Sequence, residues 1–583
     1  MVLPLSLQRP LHTRFVSLRS DVLVVLPGGH KAVEDSILVE LFALELSVVM
    51  FINISLNDTV TLLPLAGLLL VALYVGLGSE RSKHPPGPRG LPLIGNLLDM
   101  PTSDEWLQYR KWSEEFKSDI IYLNVCGTQI VVTNTLESTL DLLERRSSKY
   151  SGRPRIPMAE LCAAPSVYYI SLELNRTAPS RMGMEWGFVL MPYGDEWRAH
   201  RRLAVKGFDA HVIHKYDLAF TRNAHGLLRR LLESPEAWHE HVHHQVGAMT
   251  IEVSYGLDVL PKNDPFLESA AKTSATFAMA IKPGAFLVNM MPILTYVPSW
   301  FPGAGFQRKA KEFRRHVDET LEAPFKALKD EIANGAAKPS FAQRCLQDMD
   351  PKIDTAYQER VIKGTSAVMY GAGADTSTSF LATFVLAMLQ YPSVQRRAQA
   401  ELDSVLGPDR LPTFGDMPAL PYLSAVMKEC HRWEVVLPLA IPHMLTADDE
   451  YRGWFLPSGT LVIPNSWAIL NDPTVYPDPS VFNPERFLKD GKIDLDVQDP
   501  ELAVYGYGRR ICPGRRIANT FTWLSAGYIL ASFNIEKAVG SDGMPIEAKV
   551  KYRSEMVRHP DTFECAFTPR SEDTRDMIGS AYA

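Results

Sequence analysis

The apolar positions of this chain fall into three patterns. Residues 60–78, VTLLPLAGLLLVALYVGLG, hold no charge, and such a run is long enough to cross a bilayer as one helix. Arg81 and Lys83 follow at once, which by the positive-inside rule places everything after residue 78 on the cytoplasmic side. Beyond about residue 91 the pattern turns helical. Helix-period spacing predicts helices over 106–116, 195–207, 309–334, 356–390, 394–406 and 515–532. Short strand-like runs occupy 120–125, 129–133 and 460–464. The reading is mainly α with small β-sheets, in one domain spanning 91–570, with a tail at 571–583 and an N-terminal transmembrane helix in front.

The segments before that domain divide further. Residues 1–59 form an N-terminal extension. Its first part mixes Pro, Arg, His and Gly with a weaker apolar stretch at 37–50, interrupted by Glu40 and Glu45. Translation is expected to start at Met50, with residues 1–49 an artefact of the gene model. Sequons at Asn53 and Asn57 fall on the lumenal side, where glycosylation is chemically open though close to the membrane. A cleaved signal peptide is the weaker reading, because no small-residue cleavage site stands out. Residues 79–90 include His84-Pro85-Pro86-Gly87-Pro88-Arg89-Gly90, a stiff, non-helical hinge.

Composition narrows the classes. Of 583 residues, 22% are charged and the net charge is −7, without the basic excess of a nucleic-acid binder. The six cysteines form no C-x-x-C pair, which argues against a disulfide framework or a structural zinc. No G-x-G-x-x-G follows a strand, so no dinucleotide-binding unit is expected, and a chemistry that needs electrons would draw them from another protein.

The chemistry concentrates in a few motifs. Tyr505-Gly506-Tyr507-Gly508-Arg509-Arg510-Ile511-Cys512-Pro513-Gly514 leads into the helical run at 515–532. Glycines permit tight turning and close approach to a flat ligand, and a cysteine at a helix N-terminus has its thiolate stabilised there. Ala372-Gly373-Ala374-Asp375-Thr376-Ser377 places glycines, an acid and hydroxyls in mid-helix, against helix propensity and therefore suggestive of function. A second membrane span is the alternative for that helix, disfavoured by Asp375 at its middle. Glu429 and Arg432 are three apart and share a helix face, as Trp197 and Arg201 do at a spacing of four. Alone, each such pair is more often a solvated surface feature.

Together these segments resemble the cytochrome P450 family. The decapeptide resembles its haem loop F-x-x-G-x-R-x-C-x-G, with Tyr505 in place of the usual Phe. The mid-helix motif resembles [AG]-G-x-[DE]-T, the Glu429/Arg432 pair resembles E-x-x-R, and Pro484-Glu485-Arg486-Phe487 resembles P-E-R-F. The resemblance implies haem b with Cys512 as the thiolate ligand to iron. It implies Asp375 and Thr376 as the catalytic pair that brings protons to dioxygen. Trp197, Arg201, Arg510 and His443 would contact the propionates, and Glu429, Arg432 and Arg486 would form a structural network. It implies a monooxygenase on the endoplasmic reticulum membrane with its domain in the cytosol. Its partners would be NADPH–cytochrome P450 reductase, with cytochrome b5 as a second donor, and a lipophilic substrate: terpenoid, steroid, polyketide, indole or polycyclic aromatic. Pocket residues would fall near 182–190, 437–441 and 554–556.

The stretch from Pro442 to Pro473 is similar to fungal members, specifically the basidiomycete tryptamine-hydroxylase and O-methylsterigmatocystin-oxidoreductase-like group. Against those relatives, residues 162–181 are extra and read as a retained intron, with a real extension of the pocket roof as the alternative. Two rival functions stay open: a haem-thiolate isomerase or dehydratase, and an inactive membrane-anchored paralogue.

Overall fold

The computed structural model describes residues 84–161, 186–281, 285–407 and 410–580. The expected anchor at 60–78, the extension before it with Asn53 and Asn57, and the insertion at 162–181 lie outside these residues.

The chain is mainly helical. The longer helices that frame the domain are α1 (Glu105–Glu115), α2 (Asp195–Gly207), α3 (Asp217–Glu233), α4 (Trp238–Tyr255), α5 (Pro265–Ile281), α6 (Gly305–Ala333), α7 (Thr355–Gln390), α8 (Pro392–Leu406), α9 (Pro421–Trp433) and α10 (Arg515–Ser532). The expectations at 195–207 and 515–532 coincide with α2 and α10, while α6 starts earlier than its apolar spacing suggested.

Helix α7 is the axis of the fold. The Asp354 carboxylate caps it by accepting the Tyr357 N–H at 2.7 Å. It stops where Pro392, which has no N–H to give, opens α8. Its apolar stretch is long enough to cross a membrane, but 78% of that stretch is buried inside the protein. It is a core helix, as the cost of placing Asp375 in lipid argued. The largest core packs Phe220 and Leu227 of α3, Val246 and Met249 of α4, Phe380 and Phe384 of α7, Leu402 of α8, Val426 of α9 and Phe521 of α10.

A four-stranded sheet forms the other part. Strands β1 (Ile120–Val125) and β2 (Thr128–Thr133) make an antiparallel hairpin. Cys126 and Gly127 join them, both at positive φ (50° and 88°), the backbone of the tight hairpin turn that matches strand twist. Late in the chain come β3 (His443–Met444) and β4 (Leu461–Pro464). β4 pairs parallel to β2, Ile130 opposite Leu461, and antiparallel to β3, His443 opposite Val462. The sheet order is therefore β1-β2-β4-β3, and it delivers His443 to the cavity described below.

Both ends of the described domain are tied down. The Tyr122 N–H donates to the Pro86 carbonyl at 2.9 Å, and a Cβ on Gly87 would stand 2.0 Å from the Tyr122 carbonyl oxygen. The proline-rich segment thus lies flat against β1. After residue 570 the chain forms a further helix, α11 (Glu572–Ser580), whose Ile578 is buried in the main core.

Candidate active site

The cysteine loop is shaped by backbone. Gly506 and Gly508 both sit at positive φ, 73° and 54°. A Cβ at Gly508 would lie 2.0 Å from the Leu143 carbonyl oxygen, so no other residue fits. The Cys512 N–H closes the turn on the Tyr505 carbonyl at 2.7 Å. The thiol then faces the N-terminus of α10, where the N–H groups of Gly514 and Arg515 reach it. Burial pushes the Cys512 thiol up; those N–H groups and the charges of Arg201 and Arg515 pull the other way. Cys565, in the core, is pushed up to about 12 by burial with nothing opposing. Beside Cys565 and the equally buried Cys430, only the partly buried Cys512 has the surroundings of a thiolate ligand. The hydroxyl of Tyr505 is also accommodated. It donates to Asn519 Oδ1 and lies 3.3 Å from His431 Nε2, while Asn519 donates to Glu501 at 2.8 Å.

Cys512 lines a cavity of about 390 Å³. Arg153, Trp197, Arg201, His443 and Arg510 line it too, so each residue expected at the propionates is brought there. The arginines among them are orphaned in charge. Arg510 donates to the carbonyls of Ser151 (2.9 Å), Phe188 (3.4 Å) and Met191 (2.8 Å), and lies 4.5 Å over the Trp197 ring, a cation–π contact. Arg153 donates to the carbonyls of Val189, Ile441 and Pro442 at 2.7–3.0 Å. Among the described residues, Arg201 has no protein hydrogen bond and none of these guanidiniums meets a carboxylate. Burial lowers all of them, helped by Arg510 at Arg153 and by Arg515 at Arg201, where Cys512 opposes it; Arg510 is pushed down to about 10, by burial first and then by Arg201.

Leaving Arg153 and Arg510 buried without a counter-charge is costly, whereas Arg201 is only half-buried. A flat ligand bearing two carboxylates and a metal that prefers a soft thiolate fits this donor set. His443 fits it less well. Its Nδ1 donates to the Tyr150 carbonyl at 2.7 Å, and burial and the Arg153 charge hold the ring well below the usual imidazole range. A neutral ring held this way offers only a lone pair at Nε2.

Helix α7 forms the opposite wall. Gly371, Ala372, Gly373, Asp375 and Thr376 all line the cavity. The helix is unbroken through the motif. The Thr376 hydroxyl donates to the Ala372 carbonyl at 2.9 Å, which leaves its lone pairs to the cavity. Gly371 has nothing within 4 Å of where a Cβ would stand, whereas a Cβ at Gly373 would press on the Thr250 methyl at 3.0 Å. One glycine gives room to a ligand, and the other lets α4 pack close. Asp375 accepts from His559 Nε2 at 3.0 Å. Apolar side chains complete the lining: Phe188, Leu190, Met249, Phe277, Leu437, Ile441 and Met556. Residues 186–190 and, of 437–441, Leu437, Ala440 and Ile441 reach the cavity as expected; Ser554 instead accepts from the Asp104 N–H at 2.7 Å.

Away from the cavity, Glu429, Arg432 and Arg486 form the expected network. Arg432 grips both Glu429 oxygens at 2.7 and 2.8 Å, and Arg486 Nε adds a bond at 3.2 Å. Arg153 and His559 were missed in the sequence. Arg153 and Arg155 flank one proline, but only folding shows that Arg155 pairs with Glu160 near the surface while Arg153 turns inward. His559 stands far along the chain from Asp375 and carries no local signal.

Comparison with known proteins agrees with this geometry. The cytochrome P450 family model matches residues 85–567. Tryptamine 4-monooxygenase of Psilocybe cyanescens is 42% identical over 85% of this chain and 94% of its own length. Cytochrome P450 monooxygenase 98 of Postia placenta is 40% identical over 89% and 97%, and cytochrome P450 monooxygenase COX1 of Coprinopsis cinerea 38% identical over 86% and 96%. Members of the family bind haem through a cysteine thiolate. The chain belongs to the cytochrome P450 family and is a haem-dependent oxidoreductase similar to fungal monooxygenases.

Proposed function

We propose that this protein is a membrane-anchored monooxygenase that oxidises a lipophilic small molecule, with Cys512 as the thiolate ligand to haem iron. The haem, when bound, supplies the binding and reductive activation of dioxygen. The chain's own residues do the rest. Arg153, Arg201 and Arg510 hold the propionates, and the Trp197 ring supports Arg510 from behind. The N–H groups at the start of α10 keep charge on the Cys512 sulfur. Asp375 brings protons into the cavity and the Thr376 hydroxyl orients them. The apolar side chains around Phe188, Phe277 and Ile441 hold the substrate and exclude water.

The observation that carries this reading is the set of unpaired buried guanidiniums beside Cys512 in one cavity. Electrons come from NADPH through a membrane-bound reductase. Attachment to the endoplasmic reticulum membrane is supported by the uncharged run at 60–78. The exposed Leu287, Ile293, Tyr296 and Trp300 between α5 and α6 support it as well. Against an isomerase or dehydratase stands the acid–alcohol pair Asp375–Thr376 facing the cavity.

The test is the carbon monoxide spectrum of the reduced protein and of Cys512→Ser. The native protein gives the strongly red-shifted Soret band and the serine variant does not; the same band from both defeats the assignment. Microsomes with a partner reductase are then offered tryptamine, a steroid and a polycyclic aromatic. Tryptamine enters the panel because a relative bears it in its name.

A further inference from the structure

We propose that His559, backed by His243 and His239 of α4, is a proton relay that recharges Asp375 from the protein surface. This rests on the role given to Asp375 above and adds the source of its protons. Asp375 has two faces. One lines the cavity; the other bonds His559 Nε2 at 3.0 Å, with the imidazole side chain only 15% exposed and outside the cavity wall.

Helix α4 brings two more imidazoles to the same place. It crosses α7 closely at Thr250 and Gly373. Its first residue, Trp238, packs on Phe563 with ring centres 4.8 Å apart, which fixes its start beside the segment that carries His559. His239 and His243 are four apart and share one face of α4. His243 lies within electrostatic reach of Asp375 and His559, and His239 within reach of His559 and His243. Exposed Glu240 and Arg553 border His239 at the surface.

Other charges nearby are engaged elsewhere: Arg558 with Glu434 at 2.6 Å, and Asp561 with Lys551 at 2.9 Å. Among the described residues, no three His, Cys, Asp or Glu side chains are placed to hold a metal ion. Burial holds His239 and His243 below the usual imidazole range. Neutral rings offer one N–H and one lone pair, the arrangement that accepts a proton at one nitrogen and releases it from the other.

The proton balance is simple. One proton passes from His559 Nε2 to Asp375 Oδ1, and the carboxyl releases one proton to the Thr376 side of the cavity. His559 takes its replacement at the other ring nitrogen, by way of His243 and His239 from solvent. Uptake at the other ring nitrogen accompanies release from Nε2, so no imidazolate forms; a single proton has then moved inward, every group has its starting charge, and a half-turn of each imidazole restores its first tautomer.

The competing explanation is an ion pair that merely anchors the segment around His559 to α7. His559→Gln separates the two, because glutamine keeps a hydrogen-bond donor toward Asp375 but carries no titrating proton. The full-length protein, with reductase and 7-ethoxycoumarin, is assayed by dioxygen uptake in H2O and D2O. Uptake counts productive and wasteful reduction alike, so the native substrate is not needed.

A relay predicts that His559→Gln slows uptake about tenfold or more and enlarges the solvent isotope effect, with His243→Leu acting in the same direction. Iodobenzene release from iodosobenzene, an oxygen donor that needs no protons, stays at the native rate. So do hydrogen exchange at 371–378 and 553–560 and the carbon monoxide spectrum. Native uptake in His559→Gln overturns the relay, as does an equal loss with iodosobenzene or faster hydrogen exchange in those segments. Asp375→Asn separates the levels: if it too keeps native uptake, the role of Asp375 falls as well; if it slows uptake while His559→Gln does not, the relay alone falls. Should His559→Gln lose its pigment, His559→Asn and His243→Leu decide by the same measurements.

Discussion

Among the described residues, the charges around Glu429 and those around the cavity are built on opposite plans. Around Glu429 the charges close on one another. Arg432 and Arg486 both bond its carboxylate, the Asn483 N–H adds a bond at 2.8 Å, and Glu429 and Arg432 have no exposure at all. Around the cavity, Arg153, Arg201 and Arg510 find carbonyls or nothing, and no carboxylate, among the described residues. The first cluster is complete within the chain and pins α9 to the segment at Arg486. The second is left without a counter-charge among the described residues, as the proposed dianionic ligand requires. Buried charge that is paired is scaffold; buried charge left unpaired is a site.

The widest test of that contrast is to open the closed cluster. Glu429→Ala strands two guanidiniums in the interior and is expected to cost about 3–5 kcal/mol, seen in urea unfolding as collapse of the haem-loaded protein. A loss below about 1 kcal/mol contradicts the burial argument. Next, His431 offers a third kind of buried ionisable group, one kept neutral. Burial holds it down to about 4, so the unfolded chain binds its proton first as pH falls. The stability it contributes is present above pH 6.5 and is lost as the pH drops toward 4, by roughly 3 kcal/mol in full. His431→Phe should flatten that acid slope; an unchanged slope refutes the assignment.

The open cluster should behave differently from both. Arg201→Leu is expected to leave the stability of the haem-free chain within about 1 kcal/mol. Yet it should hasten haem transfer to apomyoglobin about tenfold, the loss of one charge-assisted hydrogen bond. If the apoprotein destabilises as much as haem retention weakens, Arg201 is scaffold after all. The smallest change is Tyr505→Phe. Removing the hydroxyl that meets Asn519 and His431 should cost about 1 kcal/mol in thermal unfolding, with the carbonyl Soret band unmoved.

The closed and open clusters also differ in how far the sequence alone disclosed them. The cysteine loop was legible because its glycines are demanded by backbone geometry, and geometry of that kind is written locally. Helix α7 was legible from its length, and its motif from residues that oppose helix. The Glu–Arg spacing on α9 was weak until the arginine at 486 joined it, since an i,i+3 pair looks the same on a surface or in a core. Arg153 was invisible for the same reason: nothing near it separates it from Arg155, and only packing turned one inward. His559 meets Asp375 through tertiary contact alone. Helix α11 was read as a tail because a short polar segment shows its one anchoring side chain, Ile578, only once the core exists.

The parallel pairing of β2 with β4 carries a consequence for how the protein is made. Ile130 finds its partner only when Leu461 has been synthesised, and helices α2 to α9 come between them. Until then β2 presents an open edge to the cell, the kind of surface on which chains stick together. Ribosomal pausing or truncation ahead of β4 should therefore yield aggregates rather than a smaller folded product, and expression is best improved by shielding that waiting edge.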